Sequence, residues 1–400
     1  MTFIVAHPDT QHSAHAARGL KRAGLLRLLA TSVSLQRPPF LGPALRILAP
    51  RVYERLAQHR NYDFLTSKEI RVFPLHLLAM RMGPEAWLWS RRRFGRLVGQ
   101  LAVKEGCGVM AFDTNATETF RLLRPAGLPC VLDQSTVHRA WRIQARRKEC
   151  EAYPEWGDAW RQYDDATGLD EEEELRLADT VLCASQFCAS TLVAGGVPQK
   201  KIEVVPYGTN TTRFFADEPQ KRDVVRILFV GTLALCKGIH YFAEVARRLK
   251  TLGVEATALG ALRVRPEALR TYADVLRIPG RITHGRMPEM YRGHDILVHP
   301  TLFEGSSLSV YEALASGIPV VTTPNAGSIV RHDQEGLIVP ARDLDALTLA
   351  VEALVRDRDR RVAMGRAARL RALECGDWSH YGERLVACLV RRHTQRFNSQ

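Results

Sequence analysis

Short apolar runs alternate with stretches of helical periodicity along most of the chain. Phe3-Ile4-Val5-Ala6 reads as a buried first strand, followed by a polar, histidine-rich loop and a helix over 14–23. Residues 26–33 read as a second strand, although their composition also suits a helix. Val109-Met110-Ala111-Phe112, Cys130-Val131-Leu132 and Thr180-Val181-Leu182-Cys183 are further strands, with a helix over 118–124 and another opened by the acidic run 170–174. The second half is more regular. Arg226-Ile227-Leu228-Phe229-Val230 is a strand stopped by Gly231, a helix is predicted from Lys237 to Leu252, and a strand over 256–259. Ile296-Leu297-Val298, a helix over 308–316 and Pro319-Val320-Val321 complete the pattern. Glycine-terminated apolar strands alternating with helices argue for an α/β protein whose parallel sheets are covered on both faces.

Two such blocks are expected, about 1–205 and 206–375, meeting at Pro206-Tyr207-Gly208-Thr209-Asn210, a cluster of chain-turning residues. The length of 400 residues suits two domains. Within the first block, residues 38–105 fit no simple repeat. Within that span Trp87, Phe94, Leu97, Val98 and Leu101 recur at helical spacing, while Arg91, Arg92, Arg93 and Arg96 crowd the remaining turns.

Composition narrows the class without naming a function. Hydrophobic residues at 46% and charged residues at 25% exclude disordered, collagen-like and disulfide-scaffold chains. No apolar run approaches the ~18–20 residues of a membrane span. The first residues lack a basic segment leading into an apolar one, and eight scattered cysteines form no CxxC pair, so reduced thiols inside the cell are expected. The net charge of +13 is unevenly spread: +15 over 1–148, −9 over 149–205 and +7 over 206–400. A basic first third attracts phosphorylated ligands, anionic lipid or nucleic acid, or is simply a solvated arginine-rich surface. No zinc finger, helix-turn-helix or RNP signature accompanies it, so nucleic acid is not expected as a partner.

The strongest chemical signal is Glu304-Gly305-Ser306-Ser307-Leu308, with Glu312 eight residues beyond Glu304. This is a strand, a small-residue loop, a helix and another strand. Ser306 or Ser307 can cap the helix, and the loop amides, with the helix dipole behind them, make an anion site at the carboxyl end of a sheet. Acidic groups suit hydroxyls and amides suit phosphate, so the combination describes a nucleotide sugar. A capped helix carrying two solvated glutamates is the plain alternative.

These residues, with Val230-Gly231-Thr232, Lys237-Gly238, Ile202-Glu203-Val204-Val205-Pro206-Tyr207-Gly208, Arg213-Phe214, Thr283-His284-Gly285-Arg286-Met287-Pro288, Tyr291, the run 295–300, Asp333 and Glu335 to Pro340, resemble the retaining family-4 glycosyltransferases of the GT-B fold. The likeness covers most of the second half. It implies two Rossmann-like domains facing across a cleft, with a final helix over 378–392, in the segment 376–400, packing back on the first domain. It further implies that Lys237 holds the donor phosphates, Glu304 the sugar hydroxyls and Glu312 the ribose hydroxyls, with Gly231, Thr232, Gly305, Ser306, Ser307 and Leu308 around them. The reaction would retain anomeric configuration and need no metal or other cofactor beyond the nucleotide-sugar co-substrate. No His/Cys/Asp cluster has metal-ligand spacing.

The chain departs from the family pattern in places. Thr232 stands where an arginine is usual, leaving Arg286 or an arginine of the first domain as a replacement charge. Ser307 and Ser309 stand where glycine and proline are common. The first half resembles the family weakly: His12 and His15 occupy a loop that is usually Gly-Gly, and Ser135 stands where a histidine is usual, flanked by Asp133 and His138. These four, His12, His15, Asp133 and His138, are the acceptor-side candidates. Solvated histidines and a helix-capping aspartate are the alternatives.

The segment from Pro38 through Leu45, Ile47, Leu48, Val52, Tyr53 and Leu56, interleaved with Arg46, Arg51 and Arg55, suits either an anionic membrane surface or the protein's own core. A cytoplasmic enzyme, peripheral on the inner membrane face, acting on a glycan, lipid-linked or small-molecule acceptor, is the expectation. Another GT-B activity, such as an epimerase or phosphorylase, or an inactive sugar-nucleotide binder, remains open.

Overall fold

The computed structural model describes residues 1–9, 11–36, 46–47, 62–79, 82–157, 168–218 and 223–397. The amphipathic stretch at 38–56 therefore lies outside the described residues, apart from Arg46 and Ile47.

Two parallel sheets organise the chain. The first holds β1 (Phe3–Ala6), β2 (Leu26–Thr31), β3 (Ile70–Val72), β4 (Gly108–Phe112), β5 (Cys130–Gln134), β6 (Thr180–Cys183) and β7 (Ile202–Val204), in the order β3-β2-β1-β4-β5-β6-β7. The second holds β8 (Arg226–Val230), β9 (Glu255–Leu259), β10 (Leu276–Gly280), β11 (Ile296–His299), β12 (Val320–Thr322) and β13 (Gly336–Ile338), in the order β10-β9-β8-β11-β12-β13. In both, successive residues of a strand enter opposite cores. Ile4 and Ala6 join one cluster while Phe3 and Val5 join another; Ile227 and Phe229 oppose Leu228. That is why these strands read as continuous apolar runs rather than alternating ones. Each sheet reverses its strand order at one point, β1/β4 in the first and β8/β11 in the second, and there a parallel sheet opens a crevice at its carboxyl end.

Several short strands escaped the hydrophobic pattern. β3, β7 and β13 are three residues each, and β10 is Leu-Arg-Ile-Pro-Gly with only Leu276 buried. The helix predicted over 237–252 is also divided. A short 3-10 turn occupies Leu235–Lys237, Gly238 takes φ +78°, and the α-helix runs only from Ile239 to Arg248. A left-handed residue cannot sit inside an α-helix, so Lys237 precedes the helix rather than opening it.

The arginine-crowded helix Pro84–Glu105 buries Phe94, Val98 and Ala102. Its exposed Arg92 and Arg96 meet Asp170 and Glu118, so carboxylates brought in by the neighbouring helices answer part of the basic charge.

Helix Arg139–Ala152 follows β5, yet it leaves the first sheet. Val137, Ala145 and Trp156 pack into the same core as Ile227, Phe229 and Phe242 of the second sheet. Two of the segments that pass between the sheets run side by side, with Thr209 bridged to Asp377 and the Cα of Gly208 pressed against the Asp377 carbonyl.

The last helix, Trp378–Phe397, lies on the first helix, Ser13–Arg22. They meet through Gly19 and Gly382, where a Cβ added to Gly19 would stand 2.7 Å from the Gly382 Cα. Backbone cannot yield as a flexible side chain does. Gly19→Leu is expected to destabilise the protein by ~1–3 kcal/mol through overpacking at this crossing. Urea unfolding of the variant beside the wild type checks it, and an unchanged midpoint would show that the helices do not need this approach.

Candidate functional site

The site forms where the crevices of the two sheets face each other. On the second sheet, β8 ends at Val230 and the chain passes through Gly231 and Thr232 into the Leu235–Lys237 turn. Gly260 lies against this loop so closely that a Cβ there would stand 1.7 Å from the Gly231 carbonyl oxygen. Gly238 packs likewise on the Pro300 carbonyl of the loop after β11. The two loops are then joined by hydrogen bonds, Leu302 N to Cys236 O at 2.9 Å and Thr301 Oγ1 to the same oxygen at 3.2 Å. This seam sets Lys237 beside Glu304, and their side chains form an ion pair through Lys237 Nζ and Glu304 Oε1.

Glu304 is held from a second direction. His299, the last residue of β11 and 1% exposed, places Nε2 3.1 Å from Glu304 Oε1 and 3.0 Å from Ser307 Oγ. Burial alone would raise the Glu304 carboxyl, but Lys237 and His299 outweigh it and hold the pKa at about 2. Glu304 is therefore a carboxylate at any physiological pH.

Glu312 sits in a different environment. It lies in the second turn of the helix Leu308–Ala315, where Tyr291 Oη donates to its Oε2 at 2.8 Å. Burial pushes its pKa up to about 7, opposed by Tyr291 and by the charge of Arg213. Two glutamates eight positions apart are thus tuned in opposite directions by their surroundings.

The serines between them do not cap the helix. Ser307 occupies the capping position, but its hydroxyl lies against His299 and 2.9 Å from Ser309 Oγ; Ser306 donates to Gly327 O at 2.7 Å. The Ser307 amide is donated to Ala326 O at 3.0 Å, which removes it from the expected set of anion-binding amides. Leu308 is the exposed first residue of the helix. Arg286 stands out on the His284–Arg286 turn beside Glu289, at 3.7 Å. The arginine whose charge reaches the site is Arg213, whose guanidinium donates to the His284 carbonyl. It was visible in the sequence as part of Arg213-Phe214, but nothing in one dimension placed it near Glu312. Tyr291 and His299 were visible in the same way, as part of the run 291–300, with no role assigned to them.

Gly305 joins the two halves. A Cβ there would stand 2.0 Å from the Ser135 carbonyl oxygen, and Ser185 Oγ donates to Gly305 O at 2.6 Å. The glycine at this position lets the glutamate loop reach the first sheet.

On that sheet the acceptor-side candidates divide. His12 Nε2 lies 2.9 Å from Asp133 Oδ2, and both are buried beneath Tyr207 and Tyr381. His15 stacks on Trp378 with ring centroids 4.0 Å apart, and burial pulls its pKa down to about 3. These three hold the last helix against the first domain instead of lying solvated in a loop. His138 is the N-cap of the helix Arg139–Ala152, its Nδ1 accepting from Ala140 N, with its ring against Gly195. It is Ser135 that adjoins Gly305, and its hydroxyl donates to both Asp113 oxygens at 2.9 Å. Burial, with the Glu171 carboxylate behind it, pushes Asp113 up to about 6.

Around the same β1/β4 crevice stand His76, 3.1 Å from Asp9 Oδ2, and buried Arg91, which donates to Asn115 Oδ1 at 2.9 Å. A cavity of about 840 Å³ opens beside the Gly260 loop, lined by Leu262, Arg263, Ile278 and Arg281, and includes neither Lys237 nor Glu304. Among the described residues no three His, Cys, Asp or Glu side chains gather as a metal site requires.

Residues 224–357 match the model of the family described as glycosyl transferases group 1. The chain is 32% identical over 200 residues to the putative colanic acid biosynthesis glycosyltransferase WcaL of Escherichia coli, covering 46% of this chain and 49% of that protein. It is 29% identical over 250 residues to the GDP-mannose-dependent alpha-(1-6)-phosphatidylinositol monomannoside mannosyltransferase of Mycolicibacterium smegmatis, 55% of this chain and 64% of that one. The chain thus spans about half the length of the curated relatives it matches. In fold it is similar to sucrose-phosphate synthase from Thermosynechococcus elongatus (TM-score 0.67, 16% identity, all of both chains). It is also similar to Anabaena HepE in complex with UDP (TM-score 0.65, 13% identity, 98% of this chain and 100% of that one).

The Lys237–Glu304 pair has a measurable consequence for stability. A carboxyl held at about 2 when folded, against an ordinary value of 4.5, contributes on the order of 3 kcal/mol above pH 4.5. That contribution is lost as pH falls through 2. Lys237→Met is expected to lower stability at pH 7, and its deficit against the wild type should shrink by pH 3. Urea unfolding at the two pH values checks this; a deficit that does not change with pH would assign it to packing.

Proposed function

We propose that this chain, which carries a glycosyl transferases group 1 domain on a GT-B fold, transfers a sugar from a nucleotide-sugar donor to a glycan, lipid-linked or small-molecule acceptor, with retention of anomeric configuration. The observation that carries the reading is the Lys237–Glu304 pair at the β8/β11 crevice, with Glu312 behind it and Ser135 of the facing sheet in contact with Gly305. A cation, an ionised carboxylate and a second carboxylate on one side, facing hydrogen-bonding groups on the other, are what a diphosphate, a sugar and a ribose require.

In this reading the donor diphosphate draws Lys237 away from Glu304. Lys237 and the first amides of the helix Leu308–Ala315 meet the negative charge that develops as the diphosphate leaves. Glu304, released from its cation but still held by His299, accepts hydrogen bonds from the sugar hydroxyls. The acceptor oxygen attacks the face that the diphosphate leaves, and its proton passes to the departing phosphate. Lys237 supplies the positive charge, so no metal enters the scheme. Asp113 and Ser135 are the first-sheet groups best placed to orient the acceptor. The residual basic surface is assigned to an anionic membrane, with the enzyme peripheral on its cytoplasmic face. What supports this is the exposure of Leu75, Met82 and Trp89, with the exposed Arg93 guanidinium over the Trp89 ring. No helix among the described residues is long and apolar enough to cross a membrane.

Titration of nucleoside diphosphates and of donor sugars into two variants tests the roles. Glu312→Ala should weaken nucleoside diphosphate binding roughly ten- to hundredfold, the worth of a charged hydrogen bond of ~1.5–3 kcal/mol. Glu304→Ala frees Lys237 and should leave that affinity intact or raise it, while lowering transfer by a larger factor. Equal loss of nucleotide affinity in both, or full activity in both, would defeat the assignment.

The pKa of Glu312 adds a pH dependence. Only its ionised form accepts from two ribose hydroxyls, so a group titrating at about 7 should make nucleotide binding weaker at pH 6 than at pH 8. The factor is about tenfold, from the ionised fractions at the two pH values. Glu312→Gln should flatten this profile; a slope that survives the substitution belongs to the phosphate instead.

For the membrane, the wild type should sediment with anionic vesicles and be released by high salt, because charge attraction is screened within ~10 Å at 0.1 M. Equal binding to neutral vesicles would overturn this.

A further inference from the structure

The face of the second domain opposite the Lys237 loop carries its own crevice. It lies at the amino ends of β11 and β12, where Asp295 and Pro319 precede the strands, and has a volume of about 460 Å³, within the ~300–1,000 Å³ of small-molecule sites. Five arginines line it: Arg292, Arg358, Arg361, Arg366 and Arg369. Four of them come from one helix, Arg358–Cys375, on positions three to five apart that share one face.

The carboxylates in the crevice do not balance this charge. Asp217 is paired with Arg292 at 2.9 Å, Asp295 accepts from the Arg226 amide at 2.8 Å, and Glu218 is exposed. Two of the guanidinium groups are built into the fold. Arg369 Nη1 donates to the carbonyls of Thr211, Phe214 and Ala315, and Arg361 Nη1 donates to Val355 O. Burial lowers the pKa of both. Arg358 and Arg366 are exposed and make no ion pair among the described residues.

Arginine is also in the wrong place here for helix stability. Arg358 and Arg361 lie in the first turn, where the helix dipole is positive and favours negative charge. Asp357 caps the helix, its carboxylate accepting from Arg360 N at 2.9 Å, so a bound anion would act on the guanidinium groups and not on the capped amides.

We propose that this crevice is a second anion site, binding a soluble phosphate ester or diphosphate through Arg358 and Arg366, with Arg361 and Arg369 fixing its floor. Guanidinium groups match phosphate oxygens in pairs, and a concave cleft between packed elements suits a compact ligand better than an extended polyanion. The ligand would touch Ser316 and Gly317 at the end of the helix that carries Glu312, and Ala216 on the segment that carries Arg213. It would therefore reach both ends of the Glu312 environment without entering it. This assignment does not depend on the reaction proposed above.

Calorimetric titration of inorganic pyrophosphate and of glycerol 3-phosphate into three proteins tests it. The wild type should bind both, and Arg358→Ala/Arg366→Ala should weaken binding at this crevice at least tenfold. Both side chains are exposed, so that variant should fold normally, and its thermal unfolding is the control. Lys237→Ala should leave the crevice isotherm unchanged, whether or not the Lys237 loop also takes pyrophosphate. An isotherm abolished by Lys237→Ala and untouched by the double variant would place all binding at the Lys237 loop and overturn the proposal. So would the absence of binding. A chain that gives no heat with either soluble probe, but pellets with phosphatidic acid vesicles through Arg358 and Arg366, would equally overturn a soluble ligand.

Discussion

The relation of the two sheets depends on one buried carboxylate. Glu149 is 1% exposed and belongs to the helix that follows β5 of the first sheet, yet its partners belong to the second domain. His240 Nε2 and Tyr241 Oη each lie 2.8 Å from its Oε1, and Arg342 donates to Oε2 at 2.8 Å. Burial opposes the charge, but His240, Arg342 and Tyr241 together keep the carboxyl below its ordinary range. Removing Arg342, the cation at this buried carboxylate, would cost up to ~3–5 kcal/mol. The helix is therefore fixed to the second domain while β5 before it and the helix Gly168–Leu177 after it belong to the first. The same helix carries Trp141 and Arg146 against Phe303, the residue before Glu304. His240, for its part, is three residues beyond Lys237. One carboxylate thus supports the wall on which both members of the Lys237–Glu304 pair stand.

From that constraint follows the close approach at Gly305. With the sheets held in this relation, the loop after β11 meets Ser135 backbone to backbone, and any side chain at position 305 would separate them. The small residues of the glutamate loop are then a packing requirement as much as an anion site. Ser306 and the Ser307 amide are consumed in fastening this loop to the segment 326–327. What remains for chemistry is the opposed tuning of the two glutamates. Glu304 has a cation and an imidazole and stays ionised; Glu312 has a phenol, a more distant guanidinium and little water. The first keeps its charge throughout the physiological range, while the second titrates at about 7.

Much of this was legible in the sequence, and what was not follows a physical rule. Strands β1, β4, β5, β6, β8 and β11 are buried on both faces, so their apolar runs are continuous and their existence was clear. β3, β7, β10 and β13 are short or half-exposed edge elements with too few buried positions to make a pattern. Gly238 could have marked the true start of its helix, but its left-handed backbone is set by the Pro300 carbonyl, which belongs to another strand's loop. Lys237, Glu304 and Glu312 were legible because each lies within a local motif. His299, Tyr291 and Arg213 matter only through contacts made across the fold. His12, His15 and Asp133 were legible as chemically capable groups, but their packing against Tyr207 from mid-chain and against Trp378 and Tyr381 from the last helix was not.

Charge shows the same dependence on three dimensions. The +15 of the first 148 residues invites a reading as one broad basic surface, and the −9 that follows looks like a separate acidic segment. In the fold they are one system. Arg92 meets Asp170, Arg121 meets Glu173, Arg124 meets Asp179, and buried Arg142 meets Glu171 at 2.9 Å. The acidic stretch lies across the first domain's own arginines, so much of the apparent excess is internal. The arginines of the helix Arg358–Cys375 are the opposite case. The segment 206–400 carries only +7, and nothing in that total marks it. Yet its arginines converge on one crevice where the nearby carboxylates are already engaged or turned to solvent. A net charge counted along the chain therefore says little about where an anion will bind; the unanswered charge left after folding decides it.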